Sequence, residues 1–282
     1  MKSKGKMILL AAVAALVLVP ALCWGEVYVE GYVGGTFSDN ADMSATTNHP
    51  IGTVRAYENH NIPGRIDPSV IGGVKFGTWF VKEGFLGYNY PDWMKYLGFY
   101  LDVSYHKHDF RHQRMDSTGV DRIPPIFGSA PIPDSVDNVF KSDGDVFTVA
   151  FMFAARYGFL PDSEVPFGRL QPYVGVGPAI LIAHQEPQIR SARYLAEGPD
   201  FINPFTTGVG GDTDVTIALA VEGGVRWMAL KNVSLDLSFK YRYASPSFNY
   251  DYVDPMYGNP VNFSLDPDFN LFSFQLGAAY HF

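Results

Sequence analysis

Cysteine is almost missing from this sequence: its 282 residues include one, Cys23. Disulfide frameworks and thiol chemistry are excluded once the leader described below is removed. Charge is scarce as well. Asp, Glu, Lys and Arg make up 18% of the residues, while Phe, Trp and Tyr reach 15% and glycine contributes 28 positions. That balance suits strands and turns better than solvated helices. Basic residues are in deficit, 21 against 29 acids. The positive footprint that nucleic acid requires is lacking, so no nucleic-acid partner is expected. Beyond residue 25 no apolar run is long enough for a membrane helix. This last absence does not exclude a membrane protein, because a closed β-barrel also satisfies its backbone in lipid.

What is present begins with a leader. Lys2, Lys4 and Lys6 form a basic start, residues 7–19 are apolar, and residues 20–25 put small Cys23 and Gly25 at the −3 and −1 positions of a cleavage site. The apolar stretch is too short to cross about 30 Å of hydrocarbon. Residues 1–25 therefore read as a secretory signal peptide and 26–282 as the mature domain. Bulky Leu22 before Cys23 speaks against lipoprotein processing. Loss of the three lysines takes the 21 basic residues to 18 against 29 acids, a formal charge of about −11.

The clearest structural signal is residues 270–282, NLFSFQLGAAYHF. Phe272, Phe274, Leu276, Ala278, Tyr280 and Phe282 share one parity, and Ser273, Gln275, Gly277 and His281 share the other. A strand points alternate side chains to opposite faces, so one face here is apolar and the other mostly small or polar. In a membrane barrel the apolar face meets lipid and the polar face lines the lumen. Seven further segments are strand candidates: 27–37, 70–80, 97–110, 145–157, 170–184, 213–227 and 233–245. In 97–110, Leu97, Phe99, Leu101, Val103 and Tyr105 oppose Asp102, Ser104 and His106. In 145–157, Phe147, Val149, Phe151, Phe153 and Tyr157 oppose Thr148, Met152 and Arg156. Segment 170–184 is the exception, apolar on both faces and interrupted by Pro172 and Pro178, which remove ladder donors.

The connections alternate in length. Residues 38–69, 111–144, 185–212 and 246–269 are long, while 81–96, 158–169 and 228–232 are shorter. Long outer loops alternating with short periplasmic turns predict an all-β, eight-stranded antiparallel up-and-down transmembrane β-barrel with both termini on the periplasmic side. Aromatic residues fit the two interfaces: Trp79, Tyr157, Trp227, Tyr280 and Phe282 at the periplasmic rim, and Tyr105, Phe110, Phe147, Tyr243 and Phe272 at the outer one. The alternation of Phe248, Tyr250 and Tyr252, with Val261 and Phe263 beyond, reads as the last hairpin continuing above the membrane. Ten strands would need a hairpin within 111–144, where Pro124, Pro125, Pro131 and Pro133 argue against one. The long loops are too rich in Pro, Gly, Asn and Asp to be assigned helices.

The segments GFYLDVSY, QPYVGVGP, EGGVRW, NVSLDLSFKYRY and the terminal AAYHF, in this order and spacing, resemble the OmpA/OmpX-type eight-stranded outer-membrane barrels, a family of porin-like β-barrel domains. The resemblance covers the whole mature chain. It implies export to the outer membrane of a Gram-negative bacterium. It also implies contact with outer-membrane lipids and lipopolysaccharide. Tyr280 and Phe282 resemble the terminal aromatic signal that the barrel-assembly machinery reads in that family. The fold does not fix an activity, since it hosts anchors, adhesins, small channels and lipid-modifying enzymes.

The residues richest in chemistry fall on the lumen faces: Glu30, Lys75, Asp102, Arg156, Glu222, Arg226, Asp236, Lys240 and Arg242. An eight-stranded barrel is just wide enough inside for side chains to fill it, and a charge buried there unpaired costs several kcal/mol. A salt-bridged plug is the expected outcome, with a narrow ion path along the same residues as the alternative. His106 and His108 share a strand face, with His112 following. They could reach one metal, but polar residues at a wet rim are the commoner arrangement. Asp143 and Asp145, and Asp212 and Asp214, could hold a divalent cation against lipopolysaccharide, although such residues more often end strands. Ser104, His106 and Asp102 line up on one face at about 6–7 Å spacing, too far for a direct Ser–His relay. No catalytic, metal or cofactor site is therefore expected. The function expected is structural or surface-binding, with the long loops meeting an extracellular ligand. The alternatives are a small OmpW-like channel for ions or apolar solutes, and a lipid-A-modifying enzyme.

Overall fold

The computed structural model describes residues 26–41, 43–51, 54–81, 90–119, 135–194, 205–253 and 260–282. The leader lies outside them. The strands in chain order are β1 Glu26–Ser38, β2 Met43–Ile51, β3 Val54–Ile62, β4 Ser69–Trp79, β5 Leu97–Lys107, β6 Phe110–Gly119, β7 Ser135–Arg156 and β8 Leu170–Tyr194. They continue as β9 Phe205–Gly208, β10 Asp212–Leu230, β11 Val233–Ala244, β12 Phe248–Val253, β13 Pro260–Pro267 and β14 Phe269–His281. No helix among the described residues is long and apolar enough to cross a membrane; a barrel crosses with strands.

Eight of these strands close on themselves in the order β1-β4-β5-β7-β8-β10-β11-β14 and back to β1, every neighbour antiparallel. They match the eight segments read from the sequence. Parity decides which side chains face out. On β14, Phe274, Leu276 and Tyr280 are exposed while Leu271, Ser273, Gln275 and His281 are buried. Ile217 on β10 is 80% exposed and Leu276 on β14 is 65% exposed. A surface so rich in exposed aliphatic and aromatic groups is stable only against lipid. The outer face is thus the membrane face of a transmembrane barrel.

The outer loops carry more structure than their composition suggests. β2 and β3 form a hairpin, β13 pairs with β2, β12 with β13, β3 with β6, and β6 with the upper half of β7. β9 pairs with the upper end of β8. The barrel wall therefore continues upward as a second storey. The hairpin expected around Phe248, Tyr250 and Phe263 is β12–β13. β6 follows β5 after His108 and Asp109, so a strand does lie in the 111–144 connection. It extends the wall of eight instead of adding staves to it. The proline run 124–133 lies outside the described residues. β8 has 25 residues. At about 3.3 Å per residue and a tilt near 40°, it rises about 60 Å, roughly twice the apolar band of a membrane barrel.

In the second storey the polarity is reversed without any change of parity. Along β8 the outward residues are Val174, Val176, Pro178, Ile180 and Ile182, then His184, Glu186, Gln188 and Arg190. The inward ones end with Leu181, Ala183, Gln185, Pro187 and Ile189, all buried and apolar but for Gln185. The same change occurs on β7, where Phe147, Val149, Phe151 and Phe153 lie below Asp145, Asp143 and Lys141 on the outward face. The water boundary runs at Ile182/His184 and at Phe147/Asp145. Above it, Met43, Ala45, Ile62, Met115, Phe140, Phe248, Phe263, Leu265 and Phe269 form a buried apolar core. This two-level inversion explains why segment 170–184 looked apolar on both faces. Its outward half faces lipid, and its inward half is small Gly and Ala below an aliphatic layer.

Candidate functional site in the barrel lumen

The lumen site follows from register. Antiparallel pairing sets Glu30 beside Lys75, Lys75 beside Asp102, Glu222 beside Lys240 and Arg226 beside Asp236. Opposite charges thus sit side by side on the inner wall before any bond crosses the lumen. β4 stands across the barrel from β10, and β5 from β11. Lys75 Nζ reaches Glu222 Oε1 at 2.7 Å across that diameter and Glu30 Oε1 at 2.9 Å beside it. Lys240 Nζ reaches Glu222 Oε2 at 2.7 Å and is ion-paired with Asp102 on the far wall. Arg226 donates to Glu30 Oε2 at 2.5 Å and lies 3.4 Å from Asp236 Oδ2. Every member is at most 2% exposed.

Tyrosines complete the cluster. The Tyr173 hydroxyl lies 2.7 Å from Glu222 Oε1 and 2.8 Å from Asp236 Oδ1, and the Tyr32 hydroxyl donates to Asp102 Oδ1 at 2.7 Å. The Arg226 guanidinium stacks over Tyr28 at 4.2 Å, and Lys75 lies 5.1 Å from the Tyr32 ring centre. Strand glycines make room for these rings. A Cβ on Gly77 would stand 2.5 Å from Tyr28, and one on Gly224 would stand 2.7 Å from Tyr173. Sequence reasoning passed over these tyrosines. The signal was available, since Tyr28 and Tyr32 share the parity of Glu30, and Tyr100 shares that of Asp102.

Four expected placements differ. Phe110, expected in the outer aromatic rim, is fully buried in the apolar core, because it shares the inward parity of His106 and His108 and the wall continues above it. Arg156 belongs to a separate group at the end of the barrel where β1 begins and β14 ends. There it is bidentate to Glu26 at 2.5 and 2.6 Å, donates to Gln171 Oε1 at 3.0 Å and stacks over Trp79 at 4.2 Å. Trp79 itself is buried in the lumen and takes no part in the lipid-facing rim near the periplasmic side where it was expected; it shares the parity of Lys75. His106 and His108 are each 1% exposed inside the barrel and do not stand at a wet rim. The second storey closes over them. His112 is exposed.

The remaining candidates resolve as follows. No hydrogen bond links Ser104, His106 and Asp102. The Asp102 carboxylate is held by Tyr32 and Lys240, and Ser104 Oγ accepts from Arg242 at 3.3 Å. Asp143 pairs with Lys141 at 2.9 Å. Asp212 and Asp214 accept the backbone N–H groups of Asn249 at 2.8 Å and Ser247 at 3.2 Å, which fastens β12 to the start of β10. Among the described residues no group of three or more His, Cys, Asp or Glu is placed to hold a metal ion. Tyr280 and Phe282 point outward at the periplasmic end with ring centres 5.0 Å apart. An open cleft of about 550 Å³ lies on the polar exterior just above the apolar band, lined by Asp67, Asp109, Arg111, His112 and Lys141 among others.

Solved structures with this architecture exist. The outer membrane protein OprG from Pseudomonas aeruginosa is 13% identical over 92% of this chain and 97% of its own, with a TM-score of 0.49. The N-terminal β-barrel domain of Pseudomonas aeruginosa OprF is 11% identical over 92% and 99%, with a TM-score of 0.34. Neisserial surface protein A is 12% identical over 91% and 97%, with a TM-score of 0.32. No family model matches the sequence, and no curated protein does. Likeness at this level transfers no function. The barrel assignment rests on the closed ladder of the chain itself.

Proposed function

We propose that this protein is an outer-membrane barrel of a Gram-negative bacterium, exported through a cleaved signal peptide, whose lumen is plugged and whose work is done at the cell surface. The observation that carries the plug is the position of Glu222. It receives Lys75 from one wall, Lys240 from its neighbour and Tyr173 from a third strand, all at 2.7 Å. An ion entering the lumen would have to break that node and give up three charge-assisted hydrogen bonds among buried groups. The surface role is supported by the second storey. It lifts a rigid, polar-faced cylinder clear of the lipid headgroups, with the cleft beside Arg111 and Lys141 at its base. Outer-membrane lipids and lipopolysaccharide surround the band, and an extracellular ligand meets the storey above. Tyr280 and Phe282 serve the barrel-assembly machinery during insertion.

The test is single-channel recording of refolded mature protein in a planar bilayer, with Glu222→Ala and Arg156→Ala alongside. The expected result is a silent wild type and a leak in Glu222→Ala. Steady wild-type openings whose ion selectivity changes in the variants would replace the plug with a small channel. A change in lipid A mass on expression would favour the enzyme reading instead.

A further inference from the structure

One cation of the lumen is treated differently from the rest. Arg242 is 1% exposed, and no carboxylate among the described residues forms a salt bridge with it. One terminal nitrogen donates to Ser104 Oγ at 3.3 Å and Thr148 Oγ1 at 3.2 Å. The Nε and the other terminal nitrogen make no hydrogen bond among the described residues. His106 and His108 follow Ser104 on the inward side of the wall, with their rings perpendicular and 6.1 Å apart. Both nitrogens of His106, and Nε2 of His108, are likewise buried without a partner among the described residues.

The neighbours in register offer these groups nothing. Ile71 and Val146 flank His106 on β4 and β7, and Ala220 and Leu271 flank Arg242 on β10 and β14. All four are buried and apolar. The carboxylates one level below are taken: Asp102 by Lys240 and Tyr32, Glu222 by Lys75, Lys240 and Tyr173. Such a layer contains unsatisfied donors, and its spare acceptors among the described residues are ring nitrogens of the imidazoles themselves; unsatisfied buried donors are rare in native proteins. A metal cation is disfavoured, because it would sit beside a guanidinium with no carboxylate to balance it. An anion is matched instead. Guanidinium N–H groups are obligate donors, and each neutral imidazole can turn one N–H toward it.

We propose that the Arg242–His106–His108 layer is a binding site for a small inorganic anion of the halide class, enclosed as the barrel folds. The ion-paired network floors it. Phe110 and Phe269, both fully buried, roof it, with the Phe269 ring 4.3 Å from that of His108. The binding chemistry is independent of whether the lumen conducts.

The experiment is anomalous diffraction from crystals of the mature protein refolded in bromide, for the wild type and for Arg242→Met. The expected result is a bromide peak in hydrogen-bonding distance of Arg242 and the histidine rings, with occupancy lowered about tenfold when the charged donor is removed. If Arg242→Met does not refold, His106→Phe/His108→Phe is read the same way. Density without anomalous signal, meaning water alone, overturns the proposal. So does a peak at this level that persists undiminished in the variants. A bilayer that stays silent while no bromide is found rejects this site and leaves the plug intact.

Discussion

Removing both Glu222 and Lys75 should harm the barrel far less than removing either alone would suggest. Glu222→Leu takes away the acceptor for Lys75, Lys240 and Tyr173, each at 2.7 Å. At about 1.5–3 kcal/mol per charge-assisted hydrogen bond, the gross loss is roughly 5–9 kcal/mol. Part is recovered, because Lys75 keeps Glu30 at 2.9 Å, Lys240 keeps Asp102, and Tyr173 keeps Asp236 at 2.8 Å. The net cost should be about 3–5 kcal/mol, the range for breaking a buried pair. Lys75→Met should cost a similar amount, since Glu222 then relies on Lys240 alone among the cations. In the double variant every remaining charge of the node still has a partner. Glu30 and Asp236 stay on Arg226, and Asp102 stays on Lys240. Equilibrium urea unfolding in lipid vesicles, followed by tryptophan fluorescence, should show a coupling energy of about 2–3 kcal/mol. Additivity within about 0.5 kcal/mol would refute the reasoning. It would mean the lumen is wet enough to screen the charges.

Three further outcomes follow from other parts of the molecule. Val176→Arg, in the apolar band of β8, should destabilise by about 2–4 kcal/mol in the same assay. Gln188→Arg, twelve residues further up the same outward face, should stay within about 0.5 kcal/mol. Phe248→Ala, which empties a fully buried site in the second storey, should cost about 3–5 kcal/mol. Hydrogen exchange should show its loss of protection confined to β12, β13 and their neighbours. In the turn between β7 and β8, the backbone N–H of Val165 and the Arg169 guanidinium hold the Asp162 carboxyl below its ordinary value of 3.8. A depressed carboxylate pKa means the turn's support is present above that value and is lost as pH falls through the lower folded value. NMR titration should find Asp162 protonating below the ordinary value of 3.8, and Arg169→Ala should bring it back up.

Eight wall strands were legible because period-2 alternation reports directly on a wall with lipid on one side and a filled lumen on the other. The nine lumen residues were legible for the same reason, as charged positions on the inward parity, although Glu26, which shares the parity of Glu30 and holds Arg156, was passed over. The limits are equally physical. Trp79 was read as a rim aromatic because residue type suggested an interface, whereas its shared parity with Lys75 puts it inside under Arg156. The second storey was illegible because β2, β3 and β6 alternate small, polar and apolar residues too weakly to announce strands. Each is stable only when paired with a strand from another loop. His106 and His108 were read as wet because the strand count implied a rim at that height. The wall continues past them, and only the assembled upper strands bury them.

What the sequence by itself determined is therefore everything local to a strand: where the eight staves run, which parity meets lipid, and which residues enter the lumen. What only the tertiary structure decided is everything that depends on distance across the barrel. That includes the pairing of Lys75 with Glu222 and of Lys240 with Asp102 over the diameter, the split of Arg156 away to Glu26, and the isolation of Arg242 beside two histidines. Alternation fixes a side chain's direction but carries no information about which stave stands opposite. That is set only when the ladder closes and brings residues more than a hundred positions apart into contact.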